Sequence, residues 1–144
     1  MEHLLSLILC VPLAGLLVLL FLPSSNPRLI KVWANLVFGA GFLVSLPLWF
    51  RFDPAGPMFQ FVEKAPWIPA IGASWHLGVD GYAALLILLT TLVGAVACLC
   101  SWSAISERLK EYYGHFLLLQ FGMLGVFAAR DFLLFFVFWE LVLV

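Results

Sequence analysis

The chain has 144 residues, of which 65% are hydrophobic and 10% charged, with a formal net charge of −1. A water-soluble domain carries about a quarter charged residues, so this composition excludes one, and the lack of a clustered basic face excludes nucleic-acid binding. No G-x-G-x-x-G, P-loop or His/Cys metal spacing occurs, and the class that remains is an all-α polytopic membrane protein.

Residues 4–22 hold no charge and are long enough to cross a bilayer. A signal peptide would carry Lys or Arg before such a run and a small-x-small site after it, and neither is present, so the run reads as a retained span. Pro23-Ser-Ser-Asn-Pro27 reads as a short turn. The second span, residues 29–50, is flanked by Arg28, Lys31 and Arg51, cations placed to snorkel to headgroups, and has Trp33 and Trp49 where aromatic belts fall. Residues 52–78 form a long loop with Pro54, Pro57, Pro66 and Pro69. Within it Phe59-Gln-Phe-Val62 and Trp75-His-Leu-Gly-Val79 alternate in polarity and are able to pair as a small hairpin on the membrane surface, with Trp75, Leu77 and Val79 on one side. His76 reads as a surface polar residue rather than a ligand, since no partner has metal-site spacing. Asp80 stands immediately before a long helix and reads as its N-cap in preference to a catalytic group.

The third span, residues 82–102, has no charge at all. Residues 103–115 are polar and mixed in sign, as in a solvated connection. The fourth span, residues 112–129, carries Gly114, Gly122 and Gly125 where a neighbouring helix approaches closely. His115 and Gln120 are each open to a proton path, but interfacial solvation and an interhelical hydrogen bond are the simpler readings. Cys10, Cys98 and Cys100 lie in apolar runs and read as small hydrophobes, not a disulfide framework. Arg130-Asp131 turns tightly into residues 132–144, the start of a fifth span, with Asp131 as its N-cap. Four complete transmembrane helices and an incomplete fifth are thus expected, in one transmembrane helical unit covering residues 1–144.

Glu140 is the one carboxylate inside that last apolar run, nine residues after Asp131. Nine residues of helix rise about 13 Å, close to half of a hydrocarbon core about 30 Å thick. An ionisable group near the midplane is costly and is by default a functional site. The plainer alternative, for a residue four from the chain end, is a carboxylate that reaches interfacial water. With the N-terminus outside, the inner loops hold Arg28, Lys31, Arg108 and Lys110, and the outer ones Arg51, Lys64 and Arg130, which favours that orientation by four cations to three.

Leu-Gly-Val-Asp-Gly before a span (77–81), Cys-Ser-Trp closing it (100–102) and Phe-Phe-Val-Phe-Trp-Glu-Leu-Val-Leu-Val (135–144) together resemble the antiporter-like subunits of respiratory complex I. The last string is most similar to subunit M, chain 4 of mitochondria, and the resemblance is to the first third of that subunit only. It implies a proton-translocating membrane-arm subunit of NADH:quinone oxidoreductase, with Glu140 matching the fifth-helix glutamate that pairs with a seventh-helix lysine. It implies no cofactor or metal in this chain, since NADH, FMN, iron–sulfur clusters and quinone are bound by other subunits. The implied partners are other membrane-arm subunits, including L- and N-type ones, and the lipid bilayer. The implied location is the bacterial or mitochondrial inner membrane, N-terminus outside. No intramembrane lysine is present to pair with Glu140, so the 144 residues are expected to be a fragment, an incomplete record or one piece of a split subunit. Two other readings compete. One is the equivalent subunit of a multisubunit cation/proton antiporter or membrane-bound hydrogenase; the other is a small scaffold in which Glu140 does no proton chemistry.

Overall fold

A computed structural model describes residues 3–144. The element order is α1 (Leu4–Phe21), α2 (Pro27–Arg51), β1 (Gln60–Ile68), a 3-10 turn (Pro69–Ile71), β2 (Ala73–Val79), α3 (Gly81–Ala104), α4 (Leu109–Ala128) and α5 (Phe132–Leu143). The chain is mostly helical rather than all-α, because the loop between α2 and α3 folds into a two-stranded antiparallel sheet.

Helix boundaries follow local chemistry. Asn26 accepts a bond from Leu29 N at 3.2 Å, and Pro27 opens α2 two residues before the expected start. Proline is suited to a first helical turn, where its missing N–H has no partner to lose. Asp80 caps α3 as expected, its Oδ1 accepting from Ala83 N at 2.8 Å. At the opposite end of the bundle, Lys31 donates to the Trp102 carbonyl and Lys110 to those of Leu20 and Leu22, so these cations cover orphaned C-terminal carbonyls of α3 and α1. Trp33 is half-buried, its indole donating to the Gly15 carbonyl at 3.0 Å, which makes it an interhelical tie rather than a belt residue. Trp49 is 61% exposed.

The hairpin is longer than the two alternating pieces suggest. Its register pairs Glu63 with Leu77, Lys64 with His76, Ala65 with Trp75 and Pro66 with Ser74. The chain reverses through the 3-10 turn, and Gly72, at φ +72°, supplies the left-handed residue that ends it. Phe61 also has positive φ, at +54°, beside the register irregularity between Gln60 and Glu63, as in a bulge. Leu77 and Val79 are fully buried on the face shared with Trp75.

Three helices, α1, α2 and α3, are long and apolar enough to cross a membrane, where the sequence suggested four complete spans. α4 reaches 20 residues, but it starts at Leu109 and so takes Lys110, Glu111 and His115 into its first turns. It packs against α1, α2, α3 and α5, and its central position buries Gln120 among protein neighbours. The core has two parts. Leu5, Ile8, Leu77, Ile87, Leu124 and Phe138 fill the hairpin end, and Leu19, Phe38, Cys98, Tyr113 and Leu117 the other. Large apolar side chains such as Leu36, Leu43, Leu85, Leu89 and Val93 point outward, as lipid-facing residues must.

Candidate functional site around Glu140

The site begins at the turn that launches α5. Asp131 uses its two carboxylate oxygens differently. Oδ1 accepts from Leu133 N at 2.9 Å and Leu134 N at 3.3 Å, capping the helix, while Oδ2 accepts from Ser74 N at 3.0 Å and Ser74 Oγ at 2.9 Å. These Ser74 donors, and then the helix N–H groups, hold the carboxyl below the usual carboxylate range. The preceding residues are joined to the same strand. Arg130 N donates to the His76 carbonyl at 2.8 Å, Ala129 bridges to Leu77, and the Arg130 guanidinium lies 3.4 Å from the centroid of the Phe59 ring.

One face of α5 is buried by Leu134 and Phe138. The Phe138 ring meets Trp75 and Phe121 edge-on, with centroids 6.1 and 5.2 Å apart. It also lies directly on Gly125 of α4, where an added Cβ would come within 2.2 Å of the ring. Glu140 lies two residues beyond Phe138, about 200° round the helix, and is exposed beside Phe136, Trp139 and Leu143 on the face turned away from α4. Among the described residues no hydrogen bond or ion pair reaches its carboxylate. An apolar, aromatic-rich surface with one carboxylate in it is thus what α5 presents outward.

The other polar candidates are not brought to Glu140. Gln120 is 3% exposed and turned toward α3, its Nε2 donating to the Thr90 carbonyl at 3.5 Å and its Oε1 packed on Gly94 without a hydrogen-bond partner. His115 is exposed, its Nδ1 2.8 Å from the Glu111 carbonyl. Ser45 and Thr91 form a buried pair at 2.8 Å between α2 and α3. His76 of β2 is half-buried opposite Lys64, its imidazole held below the ordinary histidine value first by burial, then by Arg130 and Lys64, against an opposing pull from Asp131. No group of three metal-ligating side chains occurs among the described residues, and Cys10, Cys98 and Cys100 are free thiols.

One buried carboxylate was not legible as such. Glu63 of β1, 5% exposed, accepts from Leu5 N at 2.7 Å, from Ser6 N at 3.1 Å and from Ser6 Oγ, and so caps α1 from a distant strand. Trp75 Nε1 donates to the same Ser6 Oγ at 3.1 Å, and His3 Nδ1 lies 3.7 Å from Glu63 Oε2. The available signal was at the other partner: α1 opens after His3 with no Ser, Thr, Asp or Asn to cap it.

No protein-family model matches the chain. It is 41% identical over 138 residues to NADH-ubiquinone oxidoreductase chain 4 of Arabidopsis thaliana, covering 96% of this chain and 28% of that protein. Its fold matches a chain of respiratory complex I from Thermus thermophilus with bound NADH, with a TM-score of 0.76 and 32% identity over 96% of this chain and 27% of the other. A chain of the membrane-bound sulfane sulfur reductase, an archaeal respiratory membrane complex, shares the fold with a TM-score of 0.79 at 24% identity, covering 96% of this chain and 28% of that one. The chain thus spans between a quarter and a third of the length of the proteins it matches.

Proposed function

We propose, for a chain homologous over nearly its whole length to the chain 4 subunits of NADH:quinone oxidoreductases, that it works as part of a proton-translocating membrane-arm subunit of such an enzyme, with Glu140 as its proton-carrying carboxylate. The carrying observation is the 41% identity over 96% of the chain, supported by a like fold in a complex I chain. The arrangement of α5 supports the role for Glu140. A carboxylate on an apolar face about 13 Å from the start of its helix is costly in lipid, so in the assembly that face is covered by other helices and Glu140 is paired there. Burial raises a carboxylate's pKa and a nearby ammonium lowers it, so movement of a cationic partner changes proton affinity. Moving one charge through the membrane potential involves about 2.3 kcal/mol per 100 mV, which a swing of a few pKa units exceeds.

In this reading α4 serves as a fourth span, shielded from lipid by its four helical neighbours. The hairpin lies on the outer side of an energy-coupling inner membrane, with the N-terminus outside. NADH, flavin, iron–sulfur clusters and quinone are held by other subunits, and neighbouring antiporter-like subunits of the L and N types flank this one. The test is Glu140→Gln in the assembled enzyme. The expected outcome is loss of NADH-driven proton translocation with assembly retained, and unchanged pumping would overturn the assignment. Purification with NADH-oxidising flavin and iron–sulfur subunits separates this reading from a cation/proton antiporter.

A further inference from the structure

We infer that the β1–β2 hairpin is the register element for Glu140, and that Ser74 and Asp131 are positioning residues that fix the depth and rotation of α5. The inference rests on the reading of Glu140 as the proton-carrying carboxylate. A helix is stiff, so its start determines where every later side chain lies. Slipping the start of α5 by one residue would turn Glu140 through about 100° and move it about 1.5 Å along the axis. Either change takes the carboxylate away from a fixed partner.

Capping alone accounts for only half of Asp131. An N-cap needs one acceptor oxygen for the N2 or N3 amide, and Oδ1 already provides it for Leu133 and Leu134. Oδ2 is turned instead to the backbone and side chain of Ser74, 57 residues earlier in the chain. Two further ties hold the same junction on β2: the antiparallel Leu77–Ala129 bridge, which includes the bond from Arg130 N to the His76 carbonyl, and the Trp75 ring edge-on to Phe138. The hairpin itself is anchored at its other edge, where buried Glu63 binds the first amides of α1. Two helix N-termini are therefore joined through one small sheet, and α5 is referred to α1 rather than left to slide along α4.

Asp131→Asn separates the two duties, because its amide oxygen still caps α5 while its NH2 cannot accept from Ser74 N. Ser74→Ala removes only the hydroxyl donor, and Ser74→Thr restores it. In the assembled enzyme, Asp131→Asn and Ser74→Ala are expected to lower protons translocated per NADH oxidised, with assembly and uncoupled NADH oxidation retained. Ser74→Thr is expected to keep the wild-type ratio. Should Asp131→Asn fail to assemble, Ser74→Ala decides. Wild-type coupling in Ser74→Ala, or a loss that tracks assembled protein and is not prevented in Ser74→Thr, overturns the inference while leaving the role of Glu140 intact. Normal pumping by Glu140→Gln removes the underlying reading and this inference with it.

Discussion

Gly125 has no side chain because the Phe138 ring occupies the place where one would begin. Adding a methyl group there forces α4 and α5 apart, and overpacking of this kind costs about 1–3 kcal/mol. Gly125→Ala is therefore expected to lower the melting temperature of the purified assembly in detergent, whereas Gly39→Ala, with open space around its Cα, is expected to leave it unchanged. Glu63 makes the second prediction at this scale. Glu63→Ala strands the first amides of α1 and the Ser6 hydroxyl in a buried site, at a cost of about 1–3 kcal/mol for the unmet groups. The same melt is expected to show a fall larger than that of Ser6→Ala, which leaves the amide bonds in place. Residue chemistry was legible where partners are local. Asp80 and Asp131 announce their caps because the amides they serve lie within three residues. Glu63 does not, because its partners lie 57 and 58 residues away and only the folded hairpin brings them together.

The hairpin is the element in which charge and packing meet. Alternation in residues 75–79 put Trp75, Leu77 and Val79 on one side, and the fold buries Leu77 and Val79 of that side. The extent of the strands was hidden, since Pro66, Pro69 and the charged pair Glu63-Lys64 read as loop chemistry, and the reversal uses a 3-10 turn with Gly72 rather than a two-residue turn. His76 gives the hairpin a pH dependence. Its pKa in the fold is below the ordinary value, so the folded state binds fewer protons than the unfolded chain. The corresponding stability is present in full above the ordinary histidine value and is lost as pH falls through the lowered one. Trypsin cleavage after Lys64 is expected to speed up on acidification from pH about 7.5 to about 5.5, after correction for the protease's own profile. His76→Asn is expected to abolish that dependence.

At the scale of the whole molecule, helix α4 shows how burial by protein relaxes the demand for an apolar sequence. Its Gln120 is tolerated because α1, α2, α3 and α5 pack around the helix, while Glu111 and His115 of its first turns stay exposed at its end and the outer helices α1–α3 must themselves meet lipid. The proposed orientation places the hairpin on the N-terminal, outer side and the α3–α4 connection on the other. A cysteine at Ala70, in a chain with Cys10, Cys98 and Cys100 replaced, is expected to react with a membrane-impermeant maleimide added outside; one at Glu107 is expected to react only after permeabilisation. The reverse pattern would invert the topology and the face from which Glu140 is approached.

The sequence by itself determined that this protein belongs in a bilayer, where its long apolar helices run, which aspartates cap α3 and α5, and that Glu140 stands alone in an apolar stretch. Those features depend on composition and on neighbours a few residues apart. Only the tertiary structure decided that α4 is enclosed, that Glu63 is a buried cap for α1, that Phe138 demands Gly125, and that Glu140 faces away from the other helices. Each of these depends on contacts between segments far apart in the chain, which a linear pattern does not encode.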